Sequence, residues 1–324
     1  MSHKKIGVGT YALLFSGVVA FVVGASNLGC RRANEEAAYS STAQDAQQLQ
    51  VMTFNIRYGT ASDGPNNWQN RKQLVFDVLR DHRPDVVGLQ EALHFQIEEI
   101  VQAVPGFAYV GVGREDGKTK SEYCAILYRA ERLDVSESDT FWLSDTPEVP
   151  GSITWGNACT RICTRARFTD KESNRNFYVY NTHLDHVSQP SRERSAVLLM
   201  RRIADRRHRD PVILTGDFNA GEDNRAVVYL KGKSTLPDSE GVQRENPLPL
   251  IDTFRALHPD ADDVGTFNAF KGERSGPKID CVFAGPDVKV LAAEILHDNE
   301  NGRYPSDHFP VTAVVSLAGA LTSQ

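Results

Sequence analysis

Eight polar side chains stand at or near the ends of short apolar runs: Asn55, Glu91, His183, Asp217, Asn219, Asp280, Asp307 and His308. Four are carboxylates, two are amides and two are imidazoles. In layered α/β structures, sites form where strand ends converge. Carboxylates gathered there repel one another unless a cation sits among them. Oxygen donors without cysteine suit a hard ion, Mg²⁺, Mn²⁺ or Ca²⁺, and not structural zinc. The two histidines suit proton transfer near neutral pH. The clearest unit is Leu214–Ala220. Val212-Ile213-Leu214 reads as a buried strand, and Asp217 and Asn219 fall on one side of an extended chain. Asp is depleted in strands and costly to bury, so its place here calls for a reason. The plain alternative is a turn in which both side chains bond the backbone.

The elements that must carry these groups follow from spacing. Gln50–Asn55 reads as a strand ending on Asn55. Trp68–His82 has apolar residues at Leu74, Val75, Val78 and Leu79, a helical spacing, and Arg83-Pro84-Asp85 stops it. Val86–Glu91 is a second strand, and Ala92–Val104 a second helix. The opening third is therefore α/β. The middle third predicts short antiparallel strands at Tyr109–Gly113, Tyr123–Tyr128, Thr140–Leu143 and Arg161–Phe168. Phe177–His183 is a further strand, followed by an Arg-rich amphipathic helix over Ser191–Arg209 and a short helix over Asn224–Leu230. Lys231–Asn246 reads as a surface loop. Lys278–Phe283 is a strand with Asp280 inside it, Val288–Ile295 another, and Ser306–Val311 runs into a last strand, Thr312–Leu317.

The chain has 324 residues, a net charge of −6 and five cysteines. The charge argues against a protein that grips duplex nucleic acid by bulk electrostatics, although a basic groove can sit on an acidic body. The cysteines show no zinc-type pairing; if the chain is exported, the four beyond Cys30 allow three disulfide connectivities. His3-Lys4-Lys5 precedes an uncharged segment, Ile6–Gly29, long enough for a signal sequence or a membrane anchor. Gly29-Cys30 resembles a lipoprotein cleavage site, although the residue three before the cysteine is Asn27 and not the usual Leu. Lipid anchoring, an uncleaved anchor and simple cleavage stay open, and all three place the remainder outside the cytoplasm, membrane-held, periplasmic or extracellular. Residues 31–48 read as a flexible tether and 49–318 as one compact domain.

Phe54-Asn55, Leu89-Gln90-Glu91, Asn181-Thr182-His183-Leu184, Gly216-Asp217-Phe218-Asn219, Ile279-Asp280 and Ser306-Asp307-His308 resemble, in order, the motifs of the endonuclease/exonuclease/phosphatase superfamily. The stretches Asn66–Lys72 and Phe141-Trp142-Leu143-Ser144 are similar to those of its bacterial metal-dependent hydrolases, relatives of pancreatic-deoxyribonuclease-like phosphodiesterases. The resemblance implies a four-layer αββα sandwich, two mostly antiparallel sheets flanked by helices. It implies a metal held by Glu91 with Asn55 and Asp307 close by. Asp217 would orient or deprotonate the attacking water, with Asn219 holding it or the phosphate. His308, polarised by Asp280, would bind the phosphate, and His183 would contact the phosphate or protonate the leaving oxygen. Arg161 and Asn181 fall to the substrate phosphate. Asp217 and His308 both stay open as the base.

Plain readings compete at several positions. Asn181 can cap a strand end, Arg161 can make a sheet-face ion pair, His186 reads as surface, and the arginines of Ser191–Arg209 read as a solvated face. The reading is a Mg²⁺-dependent phosphoesterase (Mn²⁺ or Ca²⁺ in its place), cleaving phosphodiester bonds of nucleic acid. The alternatives are a phospholipid, phosphoinositide or sugar-phosphate substrate and, from another class, an inactive binding module of the same fold. Membrane attachment would run through the N-terminus; the oligomeric state is open.

Overall fold

In β1 (Gln48–Asn55), Leu49 and Val51 enter one core while Met52 and Phe54 enter another. Successive strand side chains point to opposite faces, so a strand covered on both sides reads as a continuous apolar run. The same division holds for most central strands. The computed structural model describes residues 48–238 and 240–317, all in one unit. The apolar segment 6–29, Cys30 and residues 31–47 lie outside the described residues. No helix among the described residues is long and apolar enough to cross a membrane.

The strands are β2 (Val86–Gln90), β3 (Ala92–Leu93), β4 (Phe107–Val110), β5 (Glu122–Tyr123), β6 (Ile126–Arg129), β7 (Leu133–Trp142), β8 (Ile162–Asp170), β9 (Arg175–His183), β10 (Val212–Asp217), β11 (Leu236–Pro237), β12 (Gln243–Arg244), β13 (Ile251–Asp252), β14 (Asp280–Ala284), β15 (Lys289–Ile295) and β16 (Val311–Ser316). The helices are α1 (Trp68–His82), α2 (His94–Ala103), α3 (Gln189–Ala204), α4 (Arg225–Leu230) and α5 (Thr253–Leu257). Sheet one runs β15-β16-β1-β2-β6-β4 and sheet two β13-β14-β10-β9-β8-β7. Each holds one parallel pair, β1/β2 bridged by α1 and β9/β10 bridged by α3, among antiparallel neighbours.

Three cores separate four layers. Met52, Phe54, Val87 and Leu89 of sheet one pack under α1 and α2, through Val75, Leu79, Ile97 and Ile100. Leu49, Val51, Val86, Phe177, Val179, Ile213, Val282 and Val311 fill the space between the sheets. Tyr178, Tyr180, Leu214 and Phe283 of sheet two pack under α3 and α4, through Leu199, Ile203 and Val227. The αββα sandwich expected from the motifs is the fold observed.

Local differences have local causes. Ala92-Leu93 pairs with Glu122-Tyr123, so α2 begins at His94. The Arg-rich helix stops at Ala204 and not at Arg209, because Arg206 folds back to donate to the carbonyls of Ile203 and Asp210. Asp280 is the first residue of β14 and not an interior one, because the strand begins there and not at Lys278; the hydroxyl of Thr266 accepts the N–H groups of both Ile279 and Asp280, each at 3.0 Å. The expected Thr140–Leu143 strand is the tail of the longer β7, an edge strand whose polar outer face hid it. The expected surface loop carries the β11/β12 hairpin, with Leu236 buried. Cys124, Cys159, Cys163 and Cys281 are free thiols, so none of the three connectivities is present among them.

Candidate active site at the strand ends

The face that the strands turn toward the space between the sheets changes character along its length. On β1, Leu49 and Val51 give way to Thr53 and Asn55; on β9, Phe177 and Val179 to Asn181 and His183; on β10, Ile213 to Thr215 and Asp217. On β14, Asp280 shares the face of Val282. Register then aligns the ends: His183 pairs with Asp217, and Asp217 with Asp280, across three adjacent strands. Strand alternation thus converts a sequence pattern into a polar basin at one edge of the sandwich.

The loops complete it. Ser306 donates its hydroxyl to the carbonyl of Asn55 at 2.7 Å, fixing the Ser306-Asp307-His308 turn over β1. Asn268 donates its N–H to the carbonyl of Asp307 at 2.7 Å. Glu91 follows β2 at a φ of 59° and Asn219 follows β10 at 46°. Asn is at ease in this left-handed region; Glu is uncommon there. That kink turns Glu91 back so that its Oε2 accepts the N–H of Tyr58 at 3.1 Å.

Distances across the basin are short. Asn55 Nδ2 donates to Asp217 Oδ2 at 3.0 Å and to Glu91 Oε1 at 3.2 Å, linking the two sheets. Asp217 Oδ1 accepts the N–H of Asn219 at 2.8 Å, and Oδ2 lies 3.3 Å from His183 Nε2 and 3.9 Å from His308 Nε2. Asn219 Nδ2 lies 2.9 Å from His183 Nε2 and donates to the carbonyl of Leu184 at 3.0 Å. His308 Nδ1 meets Asp280 Oδ2 at 2.9 Å. Arg57 Nη1 lies 3.9 Å from Glu91 Oε2, and its Nε 3.8 Å from Asp307 Oδ2.

Burial and neighbours set opposite charge states on the two imidazoles. His308 is held well above the usual imidazole range: burial opposes its charge, but Asp280, Asp217 and Asp307 outweigh that. His183 is held well below that range by burial, then by Arg161 and Arg114. Burial, with the Asp280 charge adding to it, pushes the Asp217 carboxyl up to about 7. Asp307 is raised by burial. The basin therefore pairs a standing cation, His308, with a neutral ring, His183, around a carboxyl poised near neutrality.

The donor set fits a hard divalent ion. Glu91 and Asp307 present carboxylate oxygens 3.9 and 3.8 Å from the guanidinium of Arg57, whose own hydrogen bonds go to Asp63 at 3.0 and 3.1 Å. Asp217, Asp280 and His308 also bring ligand-type atoms within 4.8 Å of one another. There, however, His308 Nδ1 is already engaged by Asp280 Oδ2 at 2.9 Å. A second cluster, Cys159, Asp185 and His186, lies apart. Its Asp185 is spent on the N–H groups of Ala158, Val187 and Ser188, and Arg161 donates to His186 Nδ1 at 2.9 Å.

Of the residues read from the sequence, Asn55, Glu91, His183, Asp217, Asn219, Asp280, Asp307 and His308 come together. Two need correction. Asn181 does not reach the basin: its amide donates to the carbonyls of Leu89 and Ala125 and accepts from Gln90 and Thr215. Asn55 turns its NH₂ group, not its oxygen, to the carboxylates, because its Oδ1 accepts the N–H of Arg57 at 3.0 Å. Arg161 precedes β8 and stands beside His183, in a narrow recess with Arg114 and Glu122; its Nη2 bonds His186 Nδ1 at 2.9 Å, and its Nε lies 3.6 Å from Asp185 Oδ2 without a hydrogen-bond partner. His186 is exposed, as expected. Sequence reasoning missed Arg57, whose signal was its place two residues after Asn55, and the Arg114–Glu122 fork with both contacts at 2.7 Å. It also passed over the role of Arg71, buried and donating to the carbonyls of Ile56, Arg57, Asn66 and Pro305. A cavity of about 920 Å³ lies along α3, lined by Trp155 and several arginines, and contains none of the basin residues.

Comparison with known proteins bears on the family and the fold. The model of a family described as the Endonuclease/Exonuclease/phosphatase family matches residues 52–308. A Bacteroides vulgatus structure titled endonuclease/exonuclease/phosphatase is 34% identical, with a TM-score of 0.75, covering 83% of this chain and 99% of that one. A Bacteroides thetaiotaomicron mannosyl-6-phosphatase is 32% identical, with a TM-score of 0.71, covering 82% of this chain and 99% of that one. Drosophila melanogaster Nocturnin is 26% identical over 90% of this chain, which spans half of Nocturnin's length.

Proposed function

Because the chain belongs to the endonuclease/exonuclease/phosphatase family, we propose that it hydrolyses a phosphate ester in this basin, with a divalent ion held by Glu91 and Asp307. The observation that carries the reading is the crossing contact, Asn55 Nδ2 to Asp217 Oδ2 at 3.0 Å, which joins the carboxylates of sheet one to the acid–base groups of sheet two. Mg²⁺ or Mn²⁺ bound there would offset the negative charge that builds on the phosphate oxygens. His308, protonated and aimed by Asp280, donates to a non-bridging oxygen. A ring already charged is no base, so the proton of the attacking water goes to Asp217, whose pKa of about 7 suits that task. Asn219 holds the water or the phosphate beside it. His183, kept neutral, contacts the phosphate or relays a proton toward the leaving oxygen.

The substrate best supported is a small phosphorylated sugar. The mannosyl-6-phosphatase is matched over nearly its whole length, and the net charge of −6 disfavours a polyanionic polymer. This departs from the nucleic-acid diester expected from the breadth of the family, which stays as the competing arm of the test. The test is a panel with Mg²⁺ or Mn²⁺: mannose 6-phosphate, bis-p-nitrophenyl phosphate, single-stranded DNA and sphingomyelin. Turnover of mannose 6-phosphate above the others is expected. Preferential cleavage of DNA or lipid replaces the substrate, and full activity of His308→Ala in EDTA overturns the mechanism. Export through residues 1–30 is part of the proposal on sequence grounds alone; cell fractionation and the mass of the mature N-terminus test it.

A further inference from the structure

One step behind the basin lies a second polar layer that the mechanism does not use. Thr53, Asn181 and Thr215 each stand two residues before Asn55, His183 and Asp217 on the same strand, and Gln90 stands one before Glu91. All four side chains are buried. Gln90 Nε2 donates to Asn181 Oδ1 at 2.6 Å and lies 3.0 Å from Thr53 Oγ1. Thr215 Oγ1 lies 3.1 Å from the same Asn181 oxygen. Asn181 Nδ2 donates to the main-chain carbonyls of Leu89 at 2.8 Å and Ala125 at 2.9 Å, on the opposite sheet.

That last contact bears on distance. Face-to-face sheets ordinarily stand about 10 Å apart, a gap that two large apolar side chains fill. Here one Asn side chain crosses from sheet two to the backbone of sheet one. The sheets have converged. Gly88 permits it: a Cβ there would lie 2.2 Å from Thr215 Oγ1 and 2.6 Å from Asn181 Oδ1. The convergence sits one pleat below the groups that must share an ion and a phosphate.

We propose that Asn181 and Gln90 are positioning residues, a hydrogen-bonded spacer that sets the separation of Asn55 and Glu91 on sheet one from His183 and Asp217 on sheet two. Unlike apolar packing, these bonds hold one distance, because each needs its partner within a few tenths of an ångström. The inference rests on the ion reading above, so its test reads ion binding directly. Mn²⁺ uptake by metal-free protein is titrated by electron paramagnetic resonance. Thermal unfolding and kcat against KM on bis-p-nitrophenyl phosphate are followed alongside, for Asn181→Leu and the double variant Gln90→Leu/Asn181→Leu.

Asn181→Leu strands buried polar partners and lowers both stability and Mn²⁺ affinity. The double variant removes the Gln90 donor together with its Asn181 acceptor and recovers part of the unfolding temperature, while the carbonyls of Leu89 and Ala125 still lack their partner. Its Mn²⁺ affinity stays about tenfold or more below the parent, the scale of losing an outer support, and its loss of turnover falls on kcat more than KM. A double variant with parental Mn²⁺ affinity and kcat overturns the proposal. If the double variant does not fold, Thr215→Val, which deletes one hydroxyl, decides: a two- to threefold weaker Mn²⁺ affinity at near-parental stability supports the spacer, and parental affinity overturns it. A parent protein that takes up no Mn²⁺ overturns the ion reading itself, and the spacer with it.

Discussion

The two halves of the basin are built from unlike chemistry. Sheet one brings Asn55, Glu91 and Asp307, whose carboxylates keep 15% and 11% side-chain exposure and lie beside Arg57. Sheet two brings His183, Asp217 and Asp280, with the last two almost wholly buried. His308 comes from the turn before β16, yet rests on Asp280 of the other sheet. The reachable acids suit an ion that must arrive from water. The sequestered ones suit proton movement, since burial is what lifts the Asp217 carboxyl to about 7. The difference teaches that identical side chains take different tasks according to how much water they keep.

The sharpest break is Asp217→Asn. Turnover should fall about a thousandfold, the scale of losing a general base. Stability should move the other way. An unfolded Asp titrates near 3.8 and this one near 7, so folding takes up a proton between those values. Stability therefore declines as pH rises through that window, and the full cost is present above about 7. Without metal at pH 8, Asp217→Asn should unfold at a higher temperature than the parent, and the gain should vanish near pH 4. Calorimetry at both values checks this.

Glu91→Gln strikes the other half. The metal concentration for half-maximal activity should rise about 10- to 100-fold, with the pH profile of the metal-saturated enzyme unchanged. A shifted pH profile with unaltered metal demand would erase the division between the halves. Asp280→Asn should cost about tenfold in turnover and move the alkaline limb of kcat/KM to lower pH, because Asp280 leads the charges that hold His308 up. Arg57→Ala should do least: a change of a few-fold at saturating metal, since an ion held by Glu91 and Asp307 would supply the positive charge that the guanidinium brings near them. A large loss at saturating metal would show that Arg57 binds substrate.

Much of this was legible in the chain. Buried strands ending on polar residues announced the basin, whereas the four layers came from the resemblance of the motifs, since periodicity alone gave only α/β at the start and short antiparallel strands in the middle. Helix α1 was readable to the residue, since its apolar spacing is regular and Arg83-Pro84 closes it. Asn181 was not. Its motif position suggests the substrate, and only the convergence of two sheets, a three-dimensional distance, shows that it faces backbone carbonyls instead. Arg57, Arg71 and Arg114 escaped for the same reason. An arginine's partners are set by where a long side chain lands, and neither periodicity nor local propensity encodes that. Edge strand β7 escaped because Asp134, Ser136, Glu137 and Ser138 look like loop residues when only one face of a strand is covered.

One feature of the topology reaches past catalysis. Strand β1, near the start of the described chain, lies between β2 and β16, the last strand described. During synthesis, sheet one cannot close until β16 has emerged, and Asp307 and His308 arrive only just before that closing strand. Until that strand is made, a nascent chain therefore carries a basin that lacks two of its eight polar groups, Asp307 and His308.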